Sequence, residues 1–225
     1  MGICLFLTGL GAAALLFYIR EKIQRYSLKG VFLKTVVSVL FISVAVAAGS
    51  SAKMAPFITL GLVSGLLGDI WLDLKYVYPS DDDEFTYAGF IAFGIGHIFY
   101  LSGLLYQFGA GLYLLPSFAL AAAADVLIAV LEKPMKLSYG KMKPVVLIYG
   151  ILLFSTVFVS GGLWLTKGGP ALRLIFIGSA LFAISDLILS GIYFGEGKNR
   201  PADIIGNYLT YYAGQFLIAL ALVFI

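Results

Sequence analysis

Four short segments set acid, imidazole and phenol groups inside otherwise apolar stretches. They are Gly68-Asp69, Gly96-His97 with Tyr100, Ser185-Asp186, and Tyr211-Tyr212 with Gln215. Lys34 and Asp125, the latter after four alanines, add an ammonium and a further carboxyl in similar settings. Paired carboxyl groups suit acid–base chemistry, one giving a proton while the other steadies a cation or activates water. His97 and Cys4 are each the single residue of their type. One cysteine excludes an intrachain disulfide, and so few nitrogen and sulfur ligands argue against a zinc hydrolase. Neither a metal nor a cofactor is expected.

The elements that must hold these groups follow from composition. Of 225 residues, 61% are hydrophobic and 12% charged, and the mean hydropathy is +0.99. A soluble domain carries about 25% charged residues. The charges fall in short clusters, leaving apolar runs near the ~20 residues that cross a bilayer as a helix. The runs lack the alternation of a transmembrane barrel, so the predicted class is all-α, a polytopic bundle of about eight spans. The expected spans are 3–19, 31–48, 56–74, 86–107, 112–131, 144–165, 170–194 and 203–225. They form a single domain, 1–225. The first span lacks a basic leader and is followed by Arg20, so it reads as a retained helix rather than a signal peptide.

Basic residues give the orientation. Twelve of the 15 lie on one side: Arg20, Lys22, Arg25, Lys29, Lys34, Lys75, Lys133, Lys136, Lys141, Lys143, Lys198 and Arg200. Lys53, Lys167 and Arg173 lie on the other. The first side is expected to be cytoplasmic, with both termini on the opposite face of the cell membrane. A net charge of +3 is explained by this bias and gives no reason to expect nucleic acid. Oligomeric state is not legible. The motifs Gly68-Asp69-Ile70-Trp71-Leu72 and Ser185-Asp186-Leu187-Ile188-Leu189 suggest a weak parallel repeat, 1–109 and 110–225.

At a rise of ~1.5 Å per residue, Asp69, Asp125, Asp186, Tyr212 and His97 all fall roughly 8–17 Å from the cytoplasmic end of their spans. One shared polar layer is therefore expected in the cytoplasmic half. A carboxylate in the middle of a span costs ~2.5–3.5 kcal/mol, which makes each a functional candidate. Each also has a plainer reading. His97 serves equally well as an interhelical hydrogen-bonding group, with Tyr100 one turn away and Gly94 and Gly96 allowing close packing. Asp125 is either a site residue or a partner for a lysine such as Lys34. Asp73 reads as solvated near the membrane surface. The run Asp81-Asp82-Asp83-Glu84 reads as a solvated loop rather than a divalent site.

These segments, in this order, resemble the YhhN-type lysoplasmalogenase family from about the second span to the C-terminus. The likeness rests on Gly68-Asp69 with Leu72, Gly96-His97 with Tyr100, Leu181-Phe182-Ala183-Ile184-Ser185-Asp186, and Tyr211-Tyr212 with Gln215. Two positions depart: Lys34-Thr35 stands where the family often has lysine-proline, and Ser190 where it often has alanine.

The resemblance implies hydrolysis of the vinyl ether bond of lysoplasmalogens to a fatty aldehyde and a glycerophospho-ethanolamine or -choline. Vinyl ethers yield to acid rather than to nucleophiles, so a protonated carboxyl with an ionised partner suits the reaction. Asp69 and Asp186 are the expected pair. His97, Tyr100, Tyr211, Tyr212, Gln215, Asp125 and Lys34 would bind or position substrate. The expected partners are a lysolipid and the bilayer. A proton-coupled transporter and a non-catalytic lysolipid-binding protein are the alternatives. The former would need interrupted helices, for which Gly161-Gly162 is the one suggestive place.

Overall fold

The computed structural model describes residues 1–24, 26–196 and 200–225. Arg25 and Lys198, counted above among the basic loop residues, lie outside the described residues. Among the described residues eight α-helices follow one another: α1 (Gly2–Gln24), α2 (Leu28–Ala47), α3 (Ala55–Val77), α4 (Asp82–Phe108), α5 (Leu114–Leu131), α6 (Lys143–Lys167), α7 (Pro170–Phe194) and α8 (Pro201–Ala221). Each is long and apolar enough to cross a membrane. Among the described residues there is no strand, only an isolated bridge between Leu137 and Gly195. The chain is thus an all-α, multi-pass membrane protein. A helix satisfies its own backbone amides, which hydrocarbon cannot do.

Local sequence explains the ends. Proline stands in the first turn of α3, α6, α7 and α8, where its missing N–H costs nothing. Ser27 caps α2 by accepting from the Gly30 amide at 3.2 Å. Gly109 ends α4 with a φ of 74°, a backbone state that side chains disfavour.

Two expectations are corrected here. The acidic run is not a loop: Pro79–Asp81 forms a 3-10 turn, and Asp82, Asp83 and Glu84 make the first turn of α4. Negative charge is favoured at a helix N-terminus. Asp83 also pairs with Lys141, while Asp82 lies 3.8 Å from Lys75. At Gly161-Gly162, α6 continues without a break. These glycines make room instead, Gly161 for Phe176 and Gly162 for Tyr113 and Ser117.

Close packing joins α3 to α4 and α7 to α8. On the first seam Gly61 receives the ring of Tyr100, Gly68 that of Phe93, and Gly89 the side chain of Leu72. Gly96 backs onto the Gly61 carbonyl, whereas Gly94 has only an ordinary neighbour in Leu152. On the second seam Gly178 and Gly214 let the two backbones touch. Small residues at such seams supply the contact area that drives helices together in lipid. Helix α5 is peripheral and packs chiefly on α6. Its buried residues are Ser117, Ala121 and Asp125, a stripe at every fourth position.

Candidate active site

Asp69 sits on α3, 2% exposed. Its Oδ2 accepts from Ser38 Oγ at 2.6 Å and from the Tyr211 hydroxyl at 2.8 Å, and Lys34 Nζ lies 3.3 Å from Oδ1. Lys34 and Ser38 come from successive turns of α2, so four residues of spacing aim both at one carboxylate. A second layer fixes Tyr211. Tyr100 donates to Gln215 Oε1 at 2.9 Å, and Gln215 Nε2 donates to the Tyr211 oxygen at 3.2 Å. An amide cannot exchange its donor and acceptor ends, so every bond in the chain Tyr100–Gln215–Tyr211–Asp69 runs toward the carboxylate. Tyr212 lies 3.3 Å from Ser38 Oγ and donates to the Lys34 carbonyl at 3.4 Å.

One turn further along α3, Asp73 is 3% exposed rather than solvated, which corrects the surface reading. Lys22 of α1 reaches its Oδ1 at 2.7 Å, Tyr18 donates at 3.0 and 3.2 Å, and Lys34 lies at 3.5 Å. A carboxylate this close to the helix end is buried because α1 and α2 bring two lysines to it. Lys22, Lys34, Asp69 and Asp73 together carry no net charge, so the quartet avoids the cost of an isolated buried ion. Lys34 is thereby committed, and the alternative that it partners Asp125 is corrected.

Asp186, on α7, is furnished differently. Tyr149 of α6 donates to one oxygen, and Ser185 lies 3.3 Å from the other. Among the described residues no lysine or arginine forms an ion pair with it. It is partly exposed, and it borders two pockets at once. The polar one, narrow, with about 20 Å³ of room inside, is lined by Lys34, Asp69, Asp186, Asn207, Tyr208 and Tyr211, with apolar walls. The apolar one, about 530 Å³ including its open mouth, lies among α4, α5, α6 and α7. Phe90, Tyr149, Leu153, Phe154 and Phe194 form much of its wall.

The other sequence candidates fall behind or beside this junction. Tyr100, Tyr212 and Gln215 support Asp69 from outside the polar cavity's lining. His97, 1% exposed, is bonded to Thr156 of α6 through Nδ1 at 3.1 Å. Thr156 Oγ1 also lies 3.0 Å from the Leu152 carbonyl, so His97 Nδ1 donates when the threonine proton goes to that carbonyl. Its Nε2 has no partner among the described residues. The ring packs at 5.7 Å from that of Tyr149, centroid to centroid, and Tyr149 is the donor to Asp186. Asp125 lines the apolar pocket, in room left by the absent side chain of Gly150. Ser190 also lines that pocket and lies 3.1 Å from the Tyr139 hydroxyl, so this departure from the family pattern is beside the site.

Sequence reading missed Ser38, Tyr149, Lys22 and Tyr18. Ser38 was findable, four residues after Lys34 on one helix face. Tyr149, about six residues inside a span, is a phenol too deep for an interfacial belt. Lys22 and Tyr18 carry no motif. Among the described residues no group of three or more histidine, cysteine, aspartate or glutamate side chains is placed to hold a metal.

The model of the YhhN family matches residues 30–222. The chain belongs to the YhhN family. The YhhN match covers α3 to α8 whole and nearly all of α2, and therefore Lys34, Asp69, Asp73, Tyr149 and Asp186. It leaves out α1, and with it Tyr18 and Lys22. No curated protein and no solved structure matches the chain.

Proposed function

We propose that this YhhN protein hydrolyses the vinyl ether bond of lysoplasmalogens, with Asp186 as proton donor and Asp69 as its ionised partner. One observation carries the reading. Two carboxyl groups border a single cavity, one neutralised by Lys34 and the other without a cation. A carboxylate set in a largely apolar wall with no counter-ion among the described residues is costly even when partly exposed, so of the two Asp186 is the one the site more readily holds as the neutral acid. The mouth of the apolar pocket gives a fatty chain a place beside it.

The reaction follows from these positions. Asp186 gives its proton to the outer alkene carbon, and the ether oxygen stabilises the oxocarbenium ion at the inner carbon. Asp69, anionic beside Lys34, offsets that positive charge. Water adds to the inner carbon and returns a proton to Asp186. The hemiacetal then collapses: its hydroxyl gives up a proton as the carbonyl forms, the carbon–oxygen bond to glycerol breaks, and the glycerol oxygen takes up a proton. The sum is one water consumed, one fatty aldehyde and one glycerophospho-alcohol released. Tyr149 orients Asp186, and the Tyr100–Gln215–Tyr211 chain with Ser38 orients Asp69.

The test is direct. Purified protein is incubated with a lysoplasmalogen, and free aldehyde is read by mass spectrometry. Aldehyde release by the parent, absent from folded Asp186→Asn, supports the reading. No aldehyde from the parent in a lipid environment that preserves the fold would sink it.

A further inference from the structure

Asp186, Leu189 and Tyr193 follow one another at three- and four-residue steps on α7, so they share one face of that helix. All three line both the apolar pocket and the polar cavity. That face is therefore the wall between the two, and Asp186 borders both sides of it. The sides differ in room. The polar cavity has about 20 Å³, and a single water needs roughly 10–15 Å³ of such space. A third pocket beyond it, where α1, α3 and α7 end, has about 10 Å³. The apolar pocket has about 60 Å³ inside its mouth.

The polar cavity is thus sized for one water, and it is furnished for one. A buried water makes about three hydrogen bonds. Lys34 brings donors to the lining and Asp69 an acceptor. Asn207 donates its side-chain nitrogen to the Ser185 carbonyl at 2.7 Å, which leaves its side-chain oxygen as a second acceptor. Three aliphatic and aromatic side chains close the space: Leu72, Phe93 and Leu189. Leu72 fills the notch at Gly89 and Phe93 that at Gly68, so both belong to the α3–α4 seam. Leu189 is partly exposed and lines all three pockets. It is the wall that can be shortened without parting that seam.

We propose that the polar cavity seats the attacking water and that Leu189 limits it to a nucleophile of water's size, so that the protein hydrolyses where it could otherwise add an alcohol. This rests on the hydrolase reading above and deepens it. An oxocarbenium ion does not itself discriminate, since water and small alcohols both add to it. With methanol, Asp186 would protonate the outer alkene carbon, the methanol oxygen would bond to the inner carbon, and the methanol proton would return to Asp186. The bond to glycerol would stay. The product is a mixed acetal, heavier than the substrate by one methanol, with no hydroxyl through which to collapse. In the parent the extra methyl group has no place in the water's seat. Shortening Leu189 gives it one.

The partition between two products tests this. The purified full chain is given a lysoplasmalogen in methanol–water mixtures that preserve the fold, and aldehyde and methyl acetal are measured by mass spectrometry. An extra methyl group in a fitted pocket is worth about tenfold or more, so the parent's acetal-to-aldehyde ratio should stay at least about tenfold below the methanol-to-water ratio. In Leu189→Ala it should rise at least about tenfold, and in Leu189→Val by less. In Ile128→Ala, which widens the apolar pocket alone, it should not rise. Acetal formed by the parent in proportion to methanol would overturn the proposal. So would Leu189→Ala releasing aldehyde with no added acetal, or an equal rise in Ile128→Ala. Should Leu189→Ala not fold or not turn over, Leu189→Val takes its place, and failing both the parent's ratio decides alone. Aldehyde with proportionate acetal leaves the hydrolase reading standing and sinks only this one. A parent that makes neither product sinks both.

Discussion

Asp69 and Asp186 border one cavity but live in opposite surroundings. Asp69 is met by committed polar groups: Ser38, Tyr211 and Lys34 contact it, and Gln215 and Tyr100 hold Tyr211 in place. Around Asp186 one phenol and one adjacent hydroxyl are set in an apolar wall. The difference teaches how one residue type takes two roles, since environment rather than identity decides which carboxyl carries charge. It also separates cost from use. Asp69 is bound into the packing of α2, α3 and α8, whereas Asp186 is held by little beyond Tyr149.

Asparagine at each position should therefore break the comparison in two different ways. Asp186→Asn is expected to abolish aldehyde release, by about 10³-fold or more for loss of the acid, with only a small change in thermal midpoint. Asp69→Asn should lower activity severely as well, but it leaves Lys34 with Asp73 alone. Removing one partner of a buried pair costs about 3 kcal/mol or more, so its midpoint should fall clearly. Activity and melting of both variants, measured side by side, check the contrast. Equal destabilisation would show that Asp186 is as structural as Asp69. Tyr149→Phe comes next: losing the donor to Asp186 should cut kcat roughly tenfold and leave KM nearly unchanged.

Much of this contrast lay in the sequence, and the missing part has a physical cause. The spans were legible because continuous apolar length is a one-dimensional property, and both aspartates because charge inside such length is rare. What surrounds each aspartate depends on which helices touch, and no local pattern encodes that. Asp73 shows the limit. Its position near a helix end suggested water, yet Lys22 from α1 and Lys34 from α2 close over it. The acidic run at Asp81–Glu84 shows another. Its charge density suggested a loop, but helix N-termini favour acids and α4 simply starts early. Gln215 was visible as a polar residue in a span, but its place between Tyr100 and Tyr211 was not.

Gln215 sharpens the comparison at the Asp69 end. Gln215→Leu removes the acceptor of Tyr100 and the donor to Tyr211, leaving a buried hydroxyl unsatisfied. The expected loss is about 1–3 kcal/mol of stability, with a smaller drop in kcat than either aspartate variant shows. Gln215→Glu keeps the acceptor for Tyr100 but not the amide donor, so it should restore part of the stability and not the activity. Chemical unfolding and initial rates on both variants test this.

The smallest effect belongs to the Asp186 end, where the loop between α5 and α6 supplies Tyr139 to the apolar pocket. Glu132 ties that loop down: Lys143 donates to Oε2 at 2.6 Å and the Tyr139 amide to Oε1 at 3.1 Å. The Ser138 amide joins it to α7 by donating to the Phe194 carbonyl at 2.8 Å. The Lys143 hydrogen bond, then that of Tyr139, holds the Glu132 carboxyl below its ordinary value. A carboxyl whose folded value is depressed contributes fully above the ordinary value, about 4.3 for glutamate, and less as pH falls through the lower one. Amide exchange at residues 137–139, corrected for intrinsic rates, should thus be slow and level from neutral pH down to about 5 and faster below about 4. Glu132→Gln should already be faster at neutral pH, lose the acid-dependent step, and match the parent below about 4. Exchange near Asp69 should not follow, because none of its supports comes from that loop. A step that appeared equally on α3 would mean that the two ends of the cavity loosen together.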